Sequence, residues 1–289
     1  MKTIGIPNAS RIRYYKTLYK VFFETLGFKV VISPETDKRI VDLGVHNSET
    51  DFCFAIKIFV GHVLDLKDKC DYVFIPSLAG ENPYYCQYHV SLPNIISTLF
   101  PKIKVLTAEI KQNGERLERI ARKLGKSDKE IGMALKKGQE AWKQEKLEQI
   151  RKEELKFKDK RRKIAIIGPE NYITKDKFCL MNIPDLLEKE NIVPVFFNPS
   201  KYKEHYNPGY RYNWIIEQEV MTELIDAIKD KRIDGIVFIS PFSCGPLFLI
   251  HEEIILKHPE KKFLVLNVDE SQNETRIKTR IEAFLDILK

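Results

Sequence analysis

The alternation of short apolar runs with amphipathic stretches constrains the fold of this chain more than any other feature. The runs are rich in β-branched residues and apolar throughout, as in KIAIIG, GIVFIS and FLVLNV. Strands of a parallel sheet have this continuous pattern because helices cover both of its faces. The intervening stretches repeat their apolar residues at helical spacing, so the sequence predicts βαβ units with mainly parallel sheets.

Two series of such units are predicted. In the first, the strands are Thr3–Ile6, Phe28–Ile32, Tyr72–Pro76 and Lys104–Thr107, and the helices are Arg11–Leu26, Lys38–Leu43, Phe52–Leu66 and Leu92–Leu99. Gly27 and Gly44 are expected to end the helices before them. In the second series, the strands are Lys163–Gly168, Pro194–Phe197, Gly235–Ser240 and Phe263–Val268, and the helices are Ile183–Lys189, Trp214–Lys229, Leu247–Lys257 and Glu274–Leu288.

The chain of 289 residues is long enough for two domains. We predict an α/β protein with two Rossmann-like lobes, an N-terminal one over 1–112 and a C-terminal one over 163–289. The segment 113–162 is highly charged and predicts a helical connector, with Gly125, Gly132 and Gly138 as possible breaks. A cleft between the lobes is the expected ligand site, because open α/β sheets bind ligands beyond the carboxyl ends of their strands.

The positive charge of the chain is concentrated in the connector. Between Asn113 and Lys163 there are 18 Lys and Arg against 10 Asp and Glu, whereas the rest of the chain holds 30 against 31. Aromatic residues do not interleave with this basic stretch, so we expect no nucleic-acid binding. The apolar runs fall short of the roughly 20 residues of a membrane helix, and no signal peptide is evident, which predicts a cytoplasmic protein without a membrane partner.

Five cysteines in a reducing compartment need an explanation other than disulfides. Cys53 is expected at the start of a helix, Cys86 in a loop after a strand, and Cys244 directly after another strand. Their spacing forms no local metal motif, and a buried thiol acting as a small apolar side chain is the plain alternative for each. Cys70, in a charged turn, and Cys179, in an apolar stretch, are left out of the predicted site.

Several motifs together resemble a known superfamily over nearly the full length. They are Ile4-Gly5-Ile6-Pro7 with Tyr14-Tyr15; the run Phe28–Pro34; Cys53-Phe54-Ala55-Ile56-Lys57 with Gly61-His62; Phe74-Ile75-Pro76; Cys86 with Leu92-Pro93; Phe242-Ser243-Cys244-Gly245-Pro246; and Asp269-Glu270 with Thr279–Phe284. The chain resembles the activase-related proteins of the 2-hydroxyacyl-CoA dehydratase superfamily, which also includes benzoyl-CoA reductase subunits and double-cubane iron–sulfur proteins.

The resemblance implies an iron–sulfur protein in which Cys53, Cys86 and Cys244 hold a [4Fe–4S] cluster or a double-cubane cluster. Three thiolates leave one iron open, to a substrate atom, water or a bridging sulfide. Three departures from the superfamily pattern are visible: Ala55 where proline is usual, Gln87-Tyr88 where Pro-Lys is common, and Gly168-Pro169-Glu170-Asn171-Tyr172 where Arg-Pro-Tyr-Asn is usual. Losing that arginine removes a bidentate anion site.

Three further residues are candidates with two interpretations each. His62 is either a structural imidazole or a proton donor. Lys57, four residues after Cys53, either offsets the charge of a cluster or is solvated. Glu270, with Asp269, ends a predicted strand and is either functional or part of the capping of the last helix, for which Asn273 and Ser271 are candidate caps.

The sequence contains no P-loop, no Gly-x-Gly-x-x-Gly after a strand and no Gly-x-Ser-x-Gly elbow. If ATP drives this system, a separate activator must hydrolyse it and donate the electrons. The first hypothesis is therefore a low-potential reductase or dehydratase component of anaerobic metabolism, working with an ATP-dependent activator and with a second cysteine-bearing subunit or as a homodimer. The alternative is a non-catalytic two-lobed cluster carrier or small-molecule binding protein.

Overall fold

The computed structural model describes residues 1–78, 85–110, 117–169, 176–197, 214–271 and 273–288. They form two compact units, of which the first comprises Met1–Thr50 and Ile56–Glu148, and the second comprises Asp51–Ala55 and Gln149–Lys289. Each unit is an α/β structure built around a parallel sheet of four strands, as the sequence predicts.

The strands of the first unit are β1 (Thr3–Ile6), β2 (Lys29–Ile32), β3 (Tyr72–Phe74), β4 (Ser77–Leu78), β5 (Val105–Leu106) and β6 (Glu109–Ile110). Its helices are α1 (Ser10–Tyr14), α2 (Lys16–Thr25), α3 (Lys38–His46), α4 (Phe54–Leu66), α5 (Gln87–Leu99), α6 (Leu117–Lys123) and α7 (Asp128–Lys156), although α4 begins and α7 ends in the second unit. The main sheet has the order β2-β1-β3-β5, and β4 pairs with β6.

The strands of the second unit are β7 (Lys163–Ile167), β8 (Val193–Phe196), β9 (Gly235–Pro241) and β10 (Phe263–Val268). Its helices are α8 (Ile183–Lys189), α9 (Ile215–Lys229), α10 (Gly245–Lys257) and α11 (Glu274–Ile287). The sheet has the order β10-β9-β7-β8, and its two central strands are buried along their whole length. This full burial explains the continuous apolar runs of the sequence.

The cores of the two units differ in composition. In the first, the ring of Phe74 contacts those of Tyr19 and Phe23 at centroid distances of 4.9 and 5.1 Å, both edge to face. In the second, the buried cluster around β7 and β9 consists of aliphatic residues and Met221, with Phe238 as its buried aromatic ring. The first core thus adds directional ring contacts to the packing of its aliphatic side chains, whereas the buried cluster of the second is held by close packing of branched chains.

Three predicted glycine breaks are wrong, and tertiary packing gives the reason for two of them. Gly44 lies inside α3 instead of ending it, because the backbone of α4 packs directly on it: a Cβ there would lie 1.9 Å from the Lys57 carbonyl oxygen. Gly138 lies inside α7, where a Cβ would come within 2.9 Å of the Leu18 carbonyl oxygen. Gly132 is also helical and breaks nothing.

Other predicted boundaries also shift. The predicted helix Arg11–Leu26 is interrupted at Tyr15, which separates α1 from α2. The helix predicted from Leu92 begins five residues earlier, at Gln87, so α5 starts immediately after Cys86. The break predicted at Gly125 is present, since this residue has a φ of +80° between α6 and α7.

The highly charged segment forms one helix of 29 residues, α7, after the short α6. Its N-terminal part packs on the first unit through Trp142 and Lys146. The indole N–H of Trp142 donates to the Tyr14 carbonyl oxygen at 3.0 Å, and the Lys146 ammonium lies 3.4 Å from the centroid of the Tyr14 ring. Within the described ranges, no helix is long and apolar enough to cross a membrane.

Candidate functional site

The two sheets have the same topology. When the strands are numbered in chain order within each sheet, both read 2-1-3-4, because β1, β2, β3 and β5 correspond to β7, β8, β9 and β10. In this doubly wound order, the chain passes from the first strand to the second on one side and from the third strand to the fourth on the other side. The order of the strands therefore reverses between the first and third strands. Ligands of such sheets bind beyond the carboxyl ends of these two strands.

Two of the predicted cysteines occupy equivalent places in this topology. Cys86 follows the third strand of the first sheet and is the N-cap residue of α5. Cys244 follows the third strand of the second sheet and is the N-cap residue of α10. Each thiol therefore lies beside the positive end of a helix of 13 residues, which favours a negatively charged sulfur.

Cys53 is the residue immediately before α4, so it too lies at the start of a 13-residue helix. It is 7% exposed and belongs to the second unit, as Cys244 does. The next residue connects the two cysteines through the backbone, since the Phe54 N–H donates to the Phe242 carbonyl oxygen at 3.2 Å. Residues 53 and 244 are thus brought into the same region of one unit although they are far apart in sequence.

Local hydrogen bonds fix the conformation around Cys244. Its N–H donates to the Pro241 carbonyl oxygen at 3.2 Å, which closes a turn directly after β9. The intervening Ser243 has a φ of +66°, a left-handed conformation that is uncommon for a residue with a side chain. The Phe242 N–H donates to Val268 at the end of β10, at 2.8 Å, so the turn is anchored to the sheet.

Cys86 has a more buried environment than its position in a loop would predict. Burial raises the pKa of its thiol, and the nearby backbone amides of His89 and Tyr88 partly oppose this effect. The thiol is therefore protonated in the absence of a metal ion. Binding of a metal would replace that proton, because thiolate is the form that coordinates.

The two cysteines left out of the predicted site have structural surroundings. The Cys70 S–H donates to the Leu66 carbonyl oxygen at 3.2 Å, and a Cβ added at Gly5 of β1 would lie 2.6 Å from its sulfur. Burial raises the pKa of this thiol as well. Cys179 is 1% exposed in a turn whose amides bond to Asp176. None of the five cysteines is in a disulfide bond.

His62 is held as a neutral side chain in the first unit. It is fully buried, with Nδ1 2.8 Å from the Ser33 hydroxyl and Nε2 3.0 Å from the Thr36 hydroxyl. Burial, with a contribution from the Arg13 guanidinium, lowers its pKa to about 3. Both ring nitrogens are engaged and the ring is shielded from solvent, so this arrangement fits a structural imidazole better than a proton donor.

The other two candidates are also placed. Lys57 is 9% exposed, so the interpretation of a solvated side chain is wrong, because packing of α4 on α3 buries this part of the helix. Asp269 accepts from the Ser271 N–H and hydroxyl at 2.8 and 2.7 Å, and Asn273 caps α11 by accepting from the Arg276 N–H. Glu270 is half-buried beside this capping turn.

The sequence analysis missed a polar cluster after β1. The Asn8 N–H donates to the Ser33 hydroxyl at 2.8 Å, and the Arg13 Nε and Nη2 atoms donate to the Asn8 carbonyl oxygen at 2.9 and 2.6 Å. Arg13 Nη2 also donates to Thr36 at 3.2 Å, which joins this cluster to His62. An asparagine directly after a buried strand was the available sequence signal. The cluster fixes the loops after β1 and β2.

The three predicted ligands are divided between the units, with Cys86 in the first and Cys53 and Cys244 in the second. Over the described part of the chain, no group of three or more His, Cys, Asp and Glu side chains is arranged to hold a metal ion. One of the predicted features lies outside the described residues: the Glu170-Asn171-Tyr172 part of the loop after β7.

Comparison with curated proteins and with solved structures does not assign the chain to a family. No curated protein matches the chain. Two solved structures align with the chain at low similarity. A mutant of the laminin-binding adhesin Lmb from Streptococcus agalactiae is 13% identical, with a TM-score of 0.27 and full coverage of both chains. ZnuA is 11% identical, with a TM-score of 0.26 and coverage of 99% of this chain and 98% of that one. Scores this low carry no structural argument.

A family model matches residues 3–198, about two thirds of the chain, including Cys53 and Cys86. Its description confirms the activase-related part of the resemblance seen in the sequence motifs. The chain belongs to the family described as the CoA enzyme activase uncharacterised domain (DUF2229).

Proposed function

We propose that this protein is an iron–sulfur component of a CoA-linked reductase or dehydratase system, with Cys53, Cys86 and Cys244 as the cluster ligands. The observation that carries the proposal is the equivalent placement of Cys86 and Cys244, each at the N-cap after the third strand of its sheet. Doubly wound sheets bind their ligands at this edge. Family membership supports the link to CoA enzymes.

The chemistry of the donor set fits an iron–sulfur cluster. Thiolates are the usual ligands of such clusters, and none of the three cysteines is in a disulfide bond. Each directly precedes a helix, whose positive end stabilises a thiolate. A bound [4Fe–4S] or double-cubane cluster would supply a low-potential electron carrier with an iron site open to a small ligand. The protein's own part is to supply the thiolates and to shield them, as the burial of Cys53 illustrates.

The proposal includes a partner. The sequence lacks the glycine-rich signatures that bind nucleotide phosphates, so ATP hydrolysis belongs to a separate activator protein that donates electrons to this one. A double-cubane cluster would need additional thiolates, which a second cysteine-bearing subunit or a second copy of this chain would supply.

Anaerobic reconstitution of the full chain with iron and sulfide tests the ligand assignment. We expect about four iron and four sulfide per chain for a single cubane. Replacing any one of Cys53, Cys86 and Cys244 with serine should remove most of the iron. Cys70→Ser and Cys179→Ser are the matched controls, and they should retain the wild-type iron content because both thiols have structural contacts.

Retention of full iron by Cys244→Ser would contradict the three-ligand assignment. Loss of iron in Cys179→Ser, with the fold intact by circular dichroism, would point to a different ligand set. Electron paramagnetic resonance of the reduced protein then separates an enzyme from a carrier. An acyl-CoA that quenches the signal and is converted to product supports a reductase or dehydratase, whereas electron transfer without conversion supports a carrier.

A further inference from the structure

We infer that Cys53 and Cys244 form a reversible disulfide in the second unit when no metal occupies them. The inference concerns the chain without a cluster and stands or falls independently of the proposed function. Both residues belong to the same compact unit, and neither is in a disulfide bond in the structure. Their sequence separation gives no hint of this pairing, which arises from the fold.

The backbone brings the two residues together. The Phe54 amide nitrogen lies 3.2 Å from the Phe242 carbonyl oxygen. Standard bond lengths place the Cα of residue 53 about 2.4 Å from that nitrogen, so Cys53 lies within about 6 Å of the same oxygen. The segment that carries Cys53 therefore runs alongside the segment that carries Cys244.

The turn after β9 keeps Cys244 beside this contact. The bond from the Cys244 N–H to the Pro241 carbonyl oxygen closes a four-residue turn, whose first and last Cα atoms lie within about 7 Å. The chain therefore curls back at Cys244 and does not lead away from Phe242. Standard bond lengths and the Phe54–Phe242 contact place the Cα atoms of Cys53 and Cys244 at most about 12 Å apart. The Cα separation of about 4.4–6.8 Å that a disulfide requires lies within this limit.

Exposure assigns different roles to the two thiols. Cys244 is partly exposed at the start of α10, next to Gly245, where an added Cβ would meet open space. It is therefore accessible to a small oxidant. Cys53 is 7% exposed. In the scheme below, it is the thiol that attacks the mixed disulfide formed at Cys244.

The oxidant of the reaction is a low-molecular-weight disulfide such as oxidised glutathione. The Cys244 thiolate attacks one glutathione sulfur, forming a mixed disulfide and releasing one glutathione thiolate. The Cys53 thiolate then attacks the Cys244 sulfur, which breaks the mixed disulfide and releases the second glutathione thiolate. The two protein thiols lose two protons and two electrons, and one oxidised glutathione becomes two reduced molecules.

Cys70 and Cys179 do not compete for Cys53 in this scheme. The sulfur of Cys70 packs against Gly5, and its S–H donates to the Leu66 carbonyl oxygen. Cys179 shares the second unit but is 1% exposed. A disulfide between residues 53 and 244 would withdraw both thiolates from metal binding, so oxidation would block metal uptake until a thiol reduces the pair.

The test is equilibration of the full chain, freed of metal by a chelator, in glutathione buffers under anaerobic conditions. Acid trapping, alkylation and mass spectrometry of proteolytic peptides then identify the linked cysteines. We expect a peptide pair joining residues 53 and 244, with an equilibrium constant at least about tenfold higher than in concentrated guanidinium chloride, where the fold no longer favours the pairing. Cys70→Ser should give the same constant, because the Cys70 thiol lies outside this pair and has its own contacts.

Three results would overturn the inference: a dominant link from Cys53 to Cys86 or Cys179, a glutathione adduct on Cys244 that persists in the native chain, or the same constant in native and denatured protein. The wild-type chain alone gives these readouts, so a misfolded variant cannot obscure them. This test is also separate from the iron measurement. A protein that binds a cluster but does not form this disulfide retains iron and gives no linked peptide, whereas a protein that forms the disulfide but binds no cluster gives the linked peptide and no iron.

Discussion

The two units share one strand order but deliver their cysteines differently. In the second unit, Cys244 comes three residues after β9 ends at Pro241, and a single closed turn sets its position. In the first, Cys86 comes twelve residues after β3 ends at Phe74, and the intervening segment includes β4. The strand order thus determines that both cysteines follow the third strand of their sheet. The length of the loop determines how closely the end of that strand fixes the position of the cysteine.

The units also differ in the buried histidines that they contain. The first unit buries His62 within hydrogen bonds that join the loops after β1 and β2, and it buries His89 on α5. Burial lowers the pKa of each imidazole to about 3. The second unit buries one histidine, His251 on α10, beside the apolar cluster around β7 and β9. The stability of the first unit is tied to protonation at His62 and His89, both of which have a strongly lowered pKa.

The largest predicted effect is a loss of stability of the first unit on mild acidification. The unfolded chain binds a proton at each histidine near pH 6.5, and the native unit does so only near pH 3, so protonation favours unfolding as the pH falls through this window. Each histidine should cost about 2 kcal/mol between about pH 7 and about pH 5. The measurement is urea unfolding followed by the fluorescence of Trp142, which lies in the first unit, in a Trp214→Phe background.

A matched probe shows whether the effect is local. In a Trp142→Phe background, Trp214 reports on the second unit, and its transition should move less over the same pH range. His89→Phe keeps an aromatic ring and removes one titrating group, so it should reduce the pH dependence at Trp142 by about half. An unchanged pH dependence in this variant, or equal shifts at both tryptophans, would contradict the assignment.

A smaller effect is predicted where α3 crosses α4. Gly44→Ala places a methyl group 1.9 Å from the Lys57 carbonyl oxygen, a backbone atom that cannot move without shifting α4. We expect a loss of about 3 kcal/mol in the unfolding free energy reported by Trp142. Gly132→Ala on exposed α7 is the control: an added Cβ meets no atom within 4 Å, so it should stabilise by about 0.5–1 kcal/mol. Equal effects of the two substitutions would refute the predicted close contact.

Much of the fold was predictable because local patterns decide it. Ile183–Lys189 and Phe263–Val268 agree with the prediction at both ends, since their apolar spacing and their neighbours point to the same structure. The errors occur where distant backbone intervenes. Gly44 and Gly138 look like helix breakers in sequence, but the backbone of another helix packs directly against each of them. No local rule contains that information.

The candidate site was predictable in part for a similar reason. A cysteine directly after a strand, such as Cys244, can be assigned to the edge of a sheet from sequence alone. The contact between Phe54 and Phe242 depends on tertiary structure, so the proximity of Cys53 to that turn was not evident. The interactions of His62 with Ser33 and Thr36 were equally hidden, because three separate segments contribute to them.

The smallest predicted effect compares one aromatic residue in the third strand of each sheet. Phe74 and Phe238 are both fully or almost fully buried, at 0% and 1% exposure. Phe74 has edge-to-face contacts with the rings of Tyr19 and Phe23, whereas the ring contact of Phe238 within the described residues is to His251 at 6.0 Å.

Replacement by leucine removes similar apolar area at both sites, but it also removes two favourable ring pairs at the first. We therefore expect Phe74→Leu to cost about 1 kcal/mol more than Phe238→Leu, each measured by urea unfolding at the tryptophan of its own unit. Equal losses would show that the rings of the first core contribute through buried area alone.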